Sequence, residues 1–233
     1  MTAIPTQIDL TSPRTVAQIL NTGMRTYARL PLLFIFLAGI VIVPYELVVV
    51  LVAHAKTVST TTELLLALAE IALVNPCISA LETQALLDLG EGRRPRIPDV
   101  MRRGLLVLPV VAAAEIVAAL SEVAGLLLFI IPGVVLAVRL AVVAPVAATE
   151  STNWPGAIRR SLLLTQGNFW RVLGLLSIQA LLTYLVAAII SGGSSLAATI
   201  VGLVLAVLAQ SFCTLLISLL YFDLRARQSA PVA

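Results

Sequence analysis

The chain has 233 residues, of which 60% are apolar and 12% charged, with a formal net charge of +3. A soluble chain of this length is about half apolar and about a quarter charged, so the balance excludes a domain folded wholly in water and belongs to lipid. The pI of about 9.2 comes from arginines spread over several turns with few aromatics between them. That pattern suits membrane orientation and contact with anionic lipid, and it makes no case for nucleic acid as a partner.

In chain order, residues 1–30 hold no charged leader, short apolar core and small-residue cleavage site, so no removable signal peptide is expected. The stretch PRTVAQILNTGMRTYARL sets Val16, Leu20, Met24 and Tyr27 on one helical face and Arg14, Gln18, Asn21, Arg25 and Arg29 on the other. It is expected to lie flat in the headgroup region. Six apolar runs follow, at 31–53, 62–87, 105–131, 133–149, 169–190 and 196–222. Crossing the hydrocarbon core takes about 20 residues in a helix, and none of the runs alternates as a barrel strand would. The fold class read from this pattern is all-α: a polytopic transmembrane helical bundle of six spans over residues 31–225, with a short tail at 226–233. The fourth run is short enough to be tilted or re-entrant.

Basic residues set the orientation. Six crossings with the N-terminus inside put thirteen of the fifteen lysines and arginines in the cytoplasm, and both termini with them. Lys56, in the first outer loop, and Arg139, inside the membrane, are the two that fall elsewhere.

A second amphipathic element, WPGAIRRSLLLTQGNFWRVL, precedes the fifth run. Aligned with the first, it pairs Pro13 with Pro155, Leu20 with Leu162, Tyr27 with Phe169 and Arg29 with Arg171. Trp170 joins Arg29 and Arg171 as an expected interfacial anchor. The ends of runs two and six also correspond, through Asp88-Leu89 and Asp223-Leu224, which sets Asn75 opposite Gln210. The unit suggested is an interfacial helix plus a hairpin, repeated in parallel, with PDVMRRGLLVLP and runs three and four as a more degenerate copy.

Ionisable groups inside a span are costly, and a functional site is sought among them. Glu46, Glu70, Glu115, Glu122 and Arg139 stand out. A turn at Pro132-Gly133 would bring Arg139 to the level of Leu126, one helical turn from Glu122, and make an ion pair between them. Glu46, Glu70 and Glu115 then have no cation and either stay protonated or line a path for cations or protons. Glu63 and Glu82, near the ends of their helix, are expected to reach water. Ala198, Gly202 and Ala206 recur every four residues, with Gln210 one turn on, as a helix-packing face. Asn75-Pro76 is expected to kink the second span. Cys77 and Cys213 read as small buried hydrophobes.

Hydrolytic or metal chemistry has no visible basis. His54 is the one histidine, and HExxH, GxSxG, paired Cys-x-x-Cys and P-loop patterns are all missing from the sequence. No catalytic residue, cofactor or metal is expected. Taken together, VAQILNTGMRTYARLPLLF, LFIIPGVVLAVRLAVVAPVAATE, AIRRSLLLTQGNFWRVLGLL and YFDLRAR resemble a group of prokaryotic membrane proteins similar to the membrane domain attached to some glycerophosphoryl diester phosphodiesterases. The resemblance implies a bundle of about six spans in a prokaryotic plasma (inner) membrane, and it carries no activity onto any residue. The leading functional expectation is a non-enzymatic, lipid-contacting scaffold or partner subunit, bound to lipids, a protein partner or copies of itself. The alternatives are a small transporter or permease component using the intramembrane carboxylates, and a lipid-acting membrane enzyme.

Overall fold

A computed structural model describes residues 8–53, 59–150, 153–191 and 196–229. His54 and Lys56 lie outside the described residues. Helix α1 (Val16–Arg29) begins at a full capping box, in which Thr15 accepts from the Gln18 amide and the Gln18 side chain accepts from the Thr15 amide. Its buried face is Ile19, Gly23 and Thr26. Met24, placed on the apolar face by the sequence, is exposed. The helix therefore rolls to dock on protein: a Cβ on Gly23 would press on the end of the Leu216 side chain, and glycine lets α1 and the last helix approach without moving it.

Beyond it come α2 (Pro31–Ala53) and a second crossing built from α3 (Thr60–Ala69), a π-helical turn (Glu70–Val74) and α4 (Asn75–Gly90). Pro76 has no amide hydrogen to give residue 72, and the ladder widens just ahead of it, where the Asn75 amide bonds the Glu70 carbonyl. The kink expected at Asn75-Pro76 thus takes the form of a π-bulge. The third crossing is α5 (Ile97–Leu128), and the fourth is α6 (Ile130–Leu140) plus α7 (Val143–Thr149). The fourth is broken at Ala141-Val142, because Pro145 cannot donate to the carbonyl of residue 141. Helix α8 (Trp154–Thr165), capped by Asn153, leads into α9 (Phe169–Ser191) and α10 (Leu196–Ser229).

Six of these segments are long and apolar enough to cross a bilayer, the fourth included as a 20-residue run from Ile130 to Thr149. Their outer surfaces carry exposed Leu47, Leu51, Leu64, Leu65, Leu181 and Ile189, the surface expected against lipid tails. The protein is a multi-pass, all-α membrane protein.

The hairpins are organised around their second arms. Helices α4, α7 and α10 pack against one another, and α2, α5 and α9 lie outside them. At the arginine-rich end each inner pair is tied by a polar contact: Thr83 to Ser218 at 2.9 Å, the Gln84 amide to the Ala148 carbonyl at 2.7 Å, and Thr149 to the Tyr221 hydroxyl at 2.8 Å. Acidic residues at the ends of the three inner arms then join each hairpin to the next. Asp88 takes Arg103 at the start of α5, Glu150 takes Arg160 of α8, and Asp223 takes the backbone amide of Arg14 ahead of α1. The ring closes on itself as three parallel units. In the middle unit the lead helix is continuous with the spanning helix, and α5 is about 48 Å long for that reason.

Candidate functional site

Stepping along the inner arms by the intervals from Asp88 to Glu150 and Asp223 takes Asn75 to Ala137 and Gln210, and Ser79 to Ala141 and Thr214. All six line one cavity of about 290 Å3 in the middle of the bundle. The chain spacing supports the equivalence of the first and third units, since the bonded pairs Asn75–Gln210 and Thr83–Ser218 are both 135 residues apart. The cavity is a property of the repeat: small alanines in the middle unit leave room where the other two units supply amides and hydroxyls.

Its side walls come from α5 and α9. Glu115 and Glu122, two turns apart on α5, both face into it, and so does Gln179 of α9. The Gln179 Oε1 is buried without a protein hydrogen-bond partner. A buried amide oxygen left in that state costs about 1–3 kcal/mol, which a bound donor recovers. A second cavity, of about 190 Å3, is lined by Glu70 and by Thr183, Ala187 and Ala206. Asn75 and Gln210 border both cavities and bond each other at 3.0 Å, so this one pair stands between them. The π-bulge ends at Asn75, and the widened turn sets the side chain at this boundary.

The sequence-flagged groups separate into different places. Glu115 and Glu122 share the larger cavity, Glu70 lines the smaller, and Glu46 lines neither of the two. Glu70 accepts a 3.4 Å hydrogen bond from Tyr45. The expected Glu122–Arg139 pair does not form. The hairpin turns at Phe129, three residues before Pro132, and the close contact of Gly125 with Gly133 sets the register. Counting six residues on from Gly133 and six back from Gly125 puts Arg139 level with Ala119, still about one turn from Glu122, so it is the direction of the side chain and not its level that parts them. Its guanidinium turns to the Leu162 carbonyl of α8 at 3.2 Å, while its own carbonyl accepts from Ser161 and Thr165.

Two further expectations are corrected. Glu82 does not reach water: it is 0% exposed and accepts from the Ser211 hydroxyl, with its other oxygen unpartnered. Arg29 and Arg171 are not equivalent either. Arg29 ends α1 and is exposed, whereas Arg171 sits in the first turn of α9 and bonds Asp223 at 3.2 Å. Trp170 beside it is 80% exposed. In the small-residue face, Gly202 is buried, Ala198 is half-buried and Ala206 faces the second cavity, so the close packing lies largely inside the chain.

Sequence reasoning missed Ser79, Gln179, Thr214 and Ser218 as cavity residues. Gln179, the one carboxamide in the fifth apolar run, was the available signal. Among the described residues no cluster of three metal-ligating side chains occurs. Comparison with known proteins finds no matching family model, curated protein or solved structure.

Proposed function

We propose that the protein is a small transporter or permease component whose central cavity receives a small solute carrying hydrogen-bond donors or positive charge, protons included. The observation that carries this reading is the cavity itself: two carboxylates and an unpartnered amide oxygen converge on one intramembrane space enclosed by three repeated hairpins. Acceptors grouped in this way suit a cation or an N–H or O–H donor and disfavour an anion. Release of the Asn75–Gln210 bond would join the two cavities, and this pair is the gate in the reading.

The clustering of arginines at one end of the bundle supports an orientation in a prokaryotic plasma (inner) membrane with the acid–arginine ring toward the cytoplasm. The scaffold reading has less behind it, because its small-residue face is largely occupied within the chain.

The test is flux in proteoliposomes, with proton entry followed by an internal pH dye and methylammonium as the cationic probe. Wild type should exceed empty liposomes, and Glu115→Gln with Glu122→Gln should lose most of the difference. Glu46→Gln should lose none of it. Wild-type flux equal to empty vesicles, or undiminished in the double variant, would overturn the proposal.

A further inference from the structure

The junction between the first and second hairpins carries a pocket of a different kind. It lies at the arginine-rich end, has a volume of about 620 Å3, and is lined by Arg93, Arg94, Arg96, Arg102 and Arg103 with Asp88 and Asp99. Asp88 is occupied, holding Arg93 at 2.9 Å and also Arg103. Arg93 pairs with Glu91 as well. Arg94, Arg96 and Arg102 have no acidic partner within ion-pair distance among the described residues, so three guanidiniums surround one concave space with Asp99 as the remaining carboxylate.

Depth identifies what the space faces. Leu106 lies one helical turn beyond Arg102 on α5, lines the same pocket and is 71% exposed, with Leu105 beside it also exposed. One turn is about 5.4 Å. Arg102 therefore sits one turn from an exposed leucine surface suited to acyl chains, and Arg94 and Arg96, from the linker just ahead of α5, line the same pocket on the side of the helix start. Guanidinium groups match phosphate oxygens by paired hydrogen bonds, and a lipid phosphate would bring its own chains to the adjacent leucines. The equivalent junction between the second and third hairpins lacks this arrangement: Arg160 there is taken by Glu150 and by Gln228 at 2.8 Å.

We propose that the pocket formed by Arg94, Arg96 and Arg102 is a binding site for the phosphate of an anionic phospholipid, with Leu105 and Leu106 against its chains. The site is independent of the central cavity and of any transport through it.

The experiment is native mass spectrometry of the full chain released from nanodiscs of phosphatidylcholine containing a minor fraction of phosphatidylglycerol. Wild type should retain phosphatidylglycerol above its share of the bilayer. The combined R94Q, R96Q and R102Q variant should fall to that share, while R159Q, an exposed arginine on α8, should match wild type. Should the triple variant fail to fold, R96Q alone, in the exposed linker before α5, should reduce retention. No enrichment in wild type, or an equal fall in R159Q, would overturn the proposal. So would retention abolished by millimolar inorganic phosphate but indifferent to lipid charge, which would assign the pocket to free phosphate.

Discussion

Asp223 shows what one residue does in this protein. It is 1% exposed, yet it bonds the Arg14 amide, Arg171 and Arg227, while Arg227 and Arg171 both also reach the Arg14 carbonyl. A buried carboxylate is tolerable when it is compensated on every side, and removing it leaves two part-buried guanidiniums and a backbone amide without their acceptor. Asp223→Asn should lower stability by roughly 3 kcal/mol, at the lower end of the cost of breaking a buried pair. Thermal unfolding in detergent reads this, with Arg29→Gln, an exposed position, as the unchanged comparison. A shift no larger than that of Arg29→Gln would show that the cluster does not hold the N-terminal segment. The sequence pointed to Asp223 through its correspondence with Asp88, but could not show that its partners come from three separate places in the chain.

At the scale of elements, α1 depends on aromatic as well as aliphatic contacts. The Tyr27 ring stacks on Phe34 at 5.9 Å between centroids and meets Phe212 edge-on at the same distance. Burial pushes the Tyr27 phenol above its ordinary value of 10.0. The sign follows from linkage: the unfolded phenol ionises first, so the contribution is fully present below pH about 10 and is lost as pH rises through the folded value. Wild type should therefore lose more stability between pH about 9 and 11 than Tyr27→Phe does, as measured by thermal unfolding across that range. Equal losses would place the phenol in water. The helix itself was legible from its amphipathic pattern. Its rotation was not, because Gly23 and Thr26, which form the buried face with Ile19, look neutral until Leu216 is placed against them. The α5–α6 turn was misplaced for a similar reason: Pro-Gly suggests a turn, whereas Pro132 sits in the first turn of α6, where its missing amide costs nothing.

At the scale of the whole molecule, three parallel hairpins form a ring with their second arms inside. Composition and run length were enough to read six spans, since lipid imposes helices and fixes their length. The outer and terminal correspondences in sequence were enough to suggest repeats. The central cavity was not readable, because its existence depends on Ala137 and Ala141 being small where Asn75, Ser79, Gln210 and Thr214 are polar, and alanines in an apolar run carry no signal. Glu115 and Glu122 were singled out, but a turn placed at Pro132-Gly133 gave Glu122 the partner Arg139 and left Glu115 without one, whereas the two share one space.

If the central cavity admits a small cation from water, a cysteine at position 137 on its wall is reached by a water-soluble thiol reagent. In a chain carrying Cys77→Ser and Cys213→Ala, Ala137→Cys should be modified by a small water-soluble cationic thiol reagent in proteoliposomes. Adding Glu122→Gln should slow the reaction by removing the attraction, and Leu37→Cys, in the packed core, should not react at all. If Ala137→Cys stays as unreactive as Leu37→Cys until the protein is denatured, the cavity is closed to water and to cations, and the transport reading is contradicted.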